Sequence, residues 1–244
     1  MPPRTNSEAQ LRREICAAGR RLRELGFLPA AAGNLSVRFA DGAILATPSG
    51  VPKGELAPAE LLVLRGDGTA ERSSARGSKR TPASNARVSS EILMHLRIYD
   101  LRPDVHAICH AHPPVATGFA AAGRALDRAI LGETAILLGA VPLAPFGAPG
   151  TPELPESIAP HVPQANAVLL ANHGVVTYGE DLRSALQRME LVEHLARVTL
   201  VAELAGGARL LSRAQVEALV ASRPRYGLAP LPPGVLRWLA AEDV

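Results

Sequence analysis

"AICHAHPP", residues 107–114, decides how this chain is read. With the residues before it, "DVHAIC", it forms an apolar run that reads as a buried strand stopping at Pro113. Along a strand, residues i and i+2 share a face. His110 and His112 therefore point the same way at the strand's end. A buried imidazole needs a partner. The chain has only seven histidines, and this run brings two of them to one place. Two readings stay open from these residues alone: a chelating pair, or two hydrogen-bonded histidines at a strand terminus.

Outward from that strand, the pattern alternates between short strands and helices. "NSEAQLRREICAAGRRLRELGF" opens with a capping signal and carries a helical stripe at Leu11, Ile15, Ala18, Leu22 and Leu25. "LSVRF" and "AILAT" are strands joined at an Asp-Gly turn, hence a hairpin, and "ELLVLRGDG" is a further strand. Residues 70–87 are polar and read as a loop or an extended hairpin edge. "SSEILMHLRIYDLRP" is a helix capped by Ser89 or Ser90 and ended by Pro103. A short helix follows the histidine strand. "GAVPLAPF" and "NAVLLANHGVVTYG" are strands, with a helix start at Thr151 between them. The longest helix, from "GEDLRSALQ" on, stops at Gly206-Gly207. Hairpin-linked strands among helices predict a layered α/β fold, one domain over 1–244, with a mostly antiparallel or mixed central sheet flanked by helices.

Composition narrows the class. Apolar residues make up 47% but aromatics only 3%, so the core is built from small and aliphatic side chains. Net charge is +3, supplied almost wholly by arginines spread along the chain without a polybasic tract. That argues for solvated faces and against a nucleic-acid surface. Two cysteines make no disulfide framework. No apolar run reaches membrane-spanning length, and the N-terminus lacks a signal-peptide core. The expectation is a cytoplasmic protein with a small-molecule substrate and no membrane partner.

Three further features bear on the two histidines. His173, in "NHG", lies at a sharp turn after an apolar strand, either presented to a cleft or merely a turn residue. Glu91, in "SSE", stands at a helix start, where the dipole favours a carboxylate with or without a catalytic role. His95, one turn later, is an ordinary core or surface histidine or else a partner for Glu91. The turns "GNLS" at 33–36 and "TPSG" at 47–50, with Ser89-Ser90, can present backbone N–H groups to an anion, though such turns are commonly only turns.

In this order, "AAGNLSVRF", "TPSG", "SSE", "RPDVHAICHAH" and "NHGVVTYGEDL" resemble the class II aldolase/adducin family from about residue 8 to about 206. The resemblance implies a divalent metal held by Glu91, His110, His112 and His173: zinc first, with Mn2+, Co2+ or Fe2+ as alternatives. It implies Glu91 as the acid/base and a phosphate cradle of Asn34, Ser49, Gly50, Ser89 and Ser90. It further implies a homo-oligomer, a cyclic tetramer with the site near a subunit boundary; the apolar segment 124–150 is the candidate surface.

The activity implied first is aldol cleavage of a sugar phosphate or related hydroxy-ketone through an enediolate whose charge the metal carries. Decarboxylation of a hydroxylated aromatic or keto acid is the alternative, and epimerisation or dehydration of a sugar phosphate a second. Besides a longer segment at 71–88 and Val88 in place of a proline, the chain departs from the fuculose-phosphate aldolase pattern at two functional positions: Ala31 replaces a phosphate-binding threonine and Leu131 an acid tyrosine. Tyr226, in "PRYGL", is the remaining tyrosine candidate for the acid. Both departures favour the decarboxylase, for which Arg87 is a candidate carboxylate partner. An adducin-like structural module would lack the ligands, and all four positions are filled here.

Overall fold

A computed structural model describes residues 7–65, 70–72 and 87–232. Helix α1 (Glu8–Glu24) starts where Ser7 accepts a hydrogen bond from the Gln10 backbone, and it buries Ile15, Ala18 and Leu22 of the expected stripe, with Cys16 beside them. The Asp-Gly hairpin is formed by β1 (Asn34–Arg38) and β2 (Ile44–Ala46). Strands β3 (Leu62–Leu64) and β4 (Ala70–Arg72) extend the sheet on that side, so the start of the polar 70–87 stretch is a sheet edge. The rest of that stretch, 73–86, lies outside the described residues.

Helix α2 (Ile92–Leu101) leads to β5 (Ala107–Ala111), the histidine strand, and Pro113-Pro114 opens α3 (Pro114–Ala121). Then come α4 (Gly132–Leu137), β6 (Leu143–Ala144), α5 (Glu153–Ile158), β7 (Ala167–Leu170), β8 (Gly174–Gly179), α6 (Leu182–Leu204) and α7 (Arg213–Ala221). The eight strands form one sheet in the order β4-β3-β2-β1-β5-β8-β7-β6. Among the described residues, only the β6–β7 pair is parallel. This is the expected mostly antiparallel, mixed sheet.

Strands β1, β2, β5, β7 and β8 are short and buried on both faces, so alternation sorts their side chains into two cores. One face carries Leu35, Val37, Leu45, Cys109, Leu169 and Val175 beneath α1, α3 and α6. The other carries Ile44, Ile108, Val168, Val176 and Tyr178 beneath α2 and α5. Each fully buried large aliphatic side chain contributes about 1.5–3 kcal/mol of transfer free energy, so an aromatic-poor core of this extent is sufficient.

Two helices lie where no helix was expected. Helix α4 is six residues long and its N-cap, Leu131, offers no side-chain acceptor, so its start is marked only by Glu133 in the first turn. Helix α7, by contrast, has a Ser212–Gln215 capping box, a start signal legible in the sequence. Helix α2 begins at Ile92, with Glu91 rather than a serine in the N-cap position.

Candidate metal centre

Strand β5 runs between β1 and β8, and its register places His110 opposite Asn34 on one side and Val176 on the other. His112 follows two residues later on the same face. The β7–β8 turn supplies the third imidazole. Asn172 adopts a left-handed conformation there, with φ of 55°, and the turn returns His173 toward the end of β5. Gly174 is required next to it: a Cβ at that position would lie 2.6 Å from His112 Cδ2 and 2.8 Å from the Ala111 carbonyl oxygen.

The three rings meet edge to face, with centroids 4.8–5.2 Å apart. One nitrogen from each lies within 4.8 Å of the others. His110 is wholly buried and donates from Nδ1 to the Val175 carbonyl at 2.9 Å. In a neutral ring that bond leaves Nε2 a lone pair, aimed into the cluster. His112 Nε2 stands 3.2 Å from it. Burial, then His110 and His173, with Glu91 opposing, push the His112 imidazole down to about 4, so His112 is neutral at pH 7. The buried His173 Nδ1 has no hydrogen-bond partner among the described residues.

Glu91 reaches the cluster from α2. Its Oε1 is 2.9 Å from His173 Nε2 and its Oε2 is 3.3 Å from His110 Nε2. Burial opposes the charged carboxylate, but the two imidazoles against its oxygens outweigh burial and hold it far below the usual carboxylate range. A first-turn acid serving only the helix dipole would not face two rings.

This donor set fits a divalent cation. At 3.2 Å, His110 and His112 hold either a shared proton or a cation between their lone pairs. Ligand nitrogens on a tetrahedral zinc with bonds of about 2.0–2.1 Å lie about 3.3–3.4 Å apart. Three imidazoles and one carboxylate suit zinc and its first-row neighbours.

Supporting residues come from distant elements. Buried Glu193 on α6 accepts from the Val115 and Ala116 N–H groups at 3.1 and 2.9 Å, clamping the start of α3 just after His112-Pro113. Buried Lys53 donates to the Ala31 carbonyl at 2.7 Å and steadies the turn before Gly33-Asn34. Neither role could be read from the sequence, since both depend on contacts between elements far apart in the chain.

The cradle candidates gather beside the cluster. Pro48 and Val88 form a β-bridge, and Ser49 N–H donates to the Arg87 carbonyl at 2.8 Å, so "TPSG" lies alongside "VSS". Ser49, Gly50 and Ser90 are exposed there, and Ser89 is half-buried. Asn34 is buried, with Nδ2 donating to Glu91 Oε2 at 2.6 Å and to Ser89 Oγ at 3.1 Å. Tyr226 stands apart: it is 64% exposed beside α7, with no hydrogen bond or ring contact to the histidines among the described residues. Leu131 caps α4.

The family profile described as Class II Aldolase and Adducin N-terminal domain matches residues 13–200. The chain belongs to this family. Class II aldolase family relatives include both decarboxylases and aldolases. A 3-oxo-tetronate 4-phosphate decarboxylase of Pectobacterium atrosepticum is 34% identical over 80% of this chain and 86% of its own length. An L-fuculose phosphate aldolase of Haemophilus influenzae is 29% identical over 91% of this chain and 97% of its own. Among solved structures, an L-fuculose 1-phosphate aldolase superposes with a TM-score of 0.79 at 27% identity, covering 93% of this chain and 100% of that one. This class II aldolase relative is therefore an enzyme of a metal-dependent family whose members act on small phosphorylated substrates. No helix among the described residues is long and apolar enough to cross a membrane.

Proposed function

We propose that this protein is a metal-dependent decarboxylase of a phosphorylated 3-keto sugar acid. The observation that carries the choice is its greater identity to a 3-oxo-tetronate 4-phosphate decarboxylase than to a fuculose phosphate aldolase. Leu131, in place of the aldolase tyrosine, agrees with it. The sequence alone put aldol cleavage first; the relatives favour the second reading.

His110, His112, His173 and Glu91 would hold the cation, zinc in the first instance. Such an ion supplies a Lewis acid for a bound carbonyl. Ser49, Gly50, Ser89 and Ser90 take the substrate phosphate chiefly through the serine hydroxyls, since the Ser49 N–H is committed to the Arg87 carbonyl. Arg87, exposed beside Ser49, is the candidate partner for the carboxylate that leaves. When the bond to that carboxylate breaks, its electron pair stays on the carbon beside the carbonyl, and that carbon must then gain a proton. Glu91 is the group placed to carry it. The exposure of Tyr226 argues against it as the acid unless a second subunit covers it. Assembly as a cyclic tetramer and a cytoplasmic setting, where phosphorylated substrates are retained, belong to the same proposal.

The test is a substrate panel with zinc-loaded protein, following carbon dioxide and aldehyde together. A 3-keto tetronate 4-phosphate should yield carbon dioxide. Aldehyde from fuculose 1-phosphate, without decarboxylation of any keto acid, would restore the aldolase reading.

A further inference from the structure

Helix α2 and strand β1 face each other through polar side chains in an otherwise apolar layer. Glu91, His95 and Tyr99 follow one another at helical spacing of four, on one face of α2. Asn34, Ser36 and Arg38 follow at spacing of two, on one face of β1. The two rows interlock. His95 Nε2 lies 2.5 Å from Asn34 Oδ1, His95 Nδ1 lies 2.7 Å from Ser36 Oγ, and Ser36 Oγ lies 2.9 Å from the Tyr99 hydroxyl. Arg38 closes the far end, donating to the Tyr99 carbonyl at 3.0 Å with its guanidinium carbon 4.9 Å from the Tyr99 ring centre.

The direction of every proton in this row follows from its last member. The Glu91 carboxylate can only accept, so the Asn34 carboxamide turns Nδ2 toward it. Asn34 Oδ1 then faces His95 and can only accept, so His95 carries its proton on Nε2. A neutral His95 accepts at Nδ1 from the Ser36 hydroxyl, which in turn accepts from Tyr99. His95, Ser36 and Asn34 are all buried, so water cannot stand in for a missing partner. Such a row is costly when half satisfied, and an apolar seam would serve the core equally well. Its terminus on Glu91 is what distinguishes it from core polar groups that merely satisfy one another.

We propose that His95 is a positioning residue for Glu91: it fixes the orientation of the Asn34 carboxamide, which holds the Glu91 carboxylate against His110 and His173. Without the Nε2–H donor the amide is free to turn its oxygen toward the carboxylate, and the carboxylate loses both its tether and its alignment. The proposal rests on the assignment of Glu91 as metal ligand and proton carrier. Ser36 and Tyr99 act one step back, by setting the His95 tautomer.

The test measures zinc Kd on the metal-free protein by competition with a chromophoric chelator, and kcat and KM on the zinc-loaded protein. The variants are His95→Leu, His95→Gln, Asn34→Ala, Glu91→Gln and the double variant His95→Leu/Asn34→Ala. Groups that orient metal ligands typically change affinity or activity by about 10- to 100-fold. His95→Leu should weaken zinc binding and lower kcat by that order, with KM within about twofold. His95→Gln should restore much of both, because its amide can donate to Asn34 and accept from Ser36. In the Asn34→Ala background, His95→Leu should cost little more. Additive losses, or a folded His95→Leu protein with unchanged zinc Kd, would overturn the proposal. Should His95→Leu fail to fold, Ser36→Ala replaces it in the cycle: it frees the tautomer and must weaken zinc binding in the wild-type background but not with Asn34→Ala. If Glu91→Gln alone leaves zinc Kd and kcat unchanged, the failure lies with the role of Glu91 and not with its positioning.

Discussion

Oε1 of Glu91 lies 2.9 Å from Nε2 of His173, joining a helix start to a hairpin turn on the opposite side of the central strand β5. The contact exists only when α2, β5 and the β7–β8 hairpin are all in place. The proposed metal ligands are therefore distributed over elements that the sheet must assemble first. Metal-free protein should retain its fold, since both cores are independent of the cluster, but it should gain stability on loading zinc. Purified protein should carry about one divalent ion per chain, and His110→Ala/His112→Ala should remove it. Elemental analysis showing full occupancy in the double variant would reject these ligands.

Glu91→Gln separates proton transfer from structure. Gln keeps an oxygen for Asn34 Nδ2, so the local hydrogen bond can survive. The proton carrier is gone, and general acid–base groups contribute about 10²–10⁴-fold to rate. Turnover at saturating zinc should fall by that order, while the metal-free protein keeps its fold. Retained activity on every substrate tested would reduce Glu91 to a helix-start residue.

Gly174→Ala probes how tightly the hairpin turn is packed on His112. The added methyl would lie far inside van der Waals contact with the ring and with the Ala111 carbonyl, which is backbone and cannot swing away. Overpacking of this kind costs about 1–3 kcal/mol. The expected result is a loss of stability in urea together with weaker zinc binding, because the shift falls on His112 and His173 at once. A variant with native zinc affinity would show that the turn can relax away from the cluster.

His95 predicts how stability depends on pH. Burial first, then His110, with Glu91 opposing, push its imidazole down to about 3. An unfolded histidine titrates near about 6.5. Between these values the unfolded chain holds a proton that the folded chain does not. Stability is therefore complete above the unfolded value and falls as pH drops through this window. One such group contributes a slope of about 1.4 kcal/mol per pH unit. Urea melts of metal-free protein should show a shallower acid slope for His95→Gln than for the wild type. An equal slope would mean that His95 takes up its proton without unfolding.

The parts of the site that were legible in the sequence are those set by local periodicity. Alternation along β5 put His110 and His112 on one face, and the glycine after His173 marked the turn. Glu91 was ambiguous because a carboxylate at a helix start has a dipole reason to be there. Only the pairing of β1 with β5 brings Asn34 level with His110 and within reach of Glu91, and strand pairing is not written in either strand. The spacing of Glu91, His95 and Tyr99 was visible, but its meaning depended on the facing row of β1. Tyr226 resembles the acid tyrosine only in its sequence surroundings, and the fold leaves it exposed.

The remaining prediction concerns assembly. Segment 124–150 is apolar in sequence, and the fold buries only part of it. Leu126, Ala129, Ala135 and Val141 enter the core, whereas Leu137 on α4 is 36% exposed and Phe146, after β6, is 59% exposed. A phenylalanine open to water in a chain with only four is an unsatisfied apolar surface. A symmetric oligomer covers such surface by repeating one contact around an axis. Leu137→Asp and Phe146→Asp should each lower the molecular mass seen by light scattering and, if a neighbouring subunit completes the site, lower kcat in parallel. The two effects are separable by concentration: on dilution of the wild type, activity per chain should fall where the mass falls. A monomer with full activity at micromolar concentration would show that the three histidines and Glu91 need no second chain.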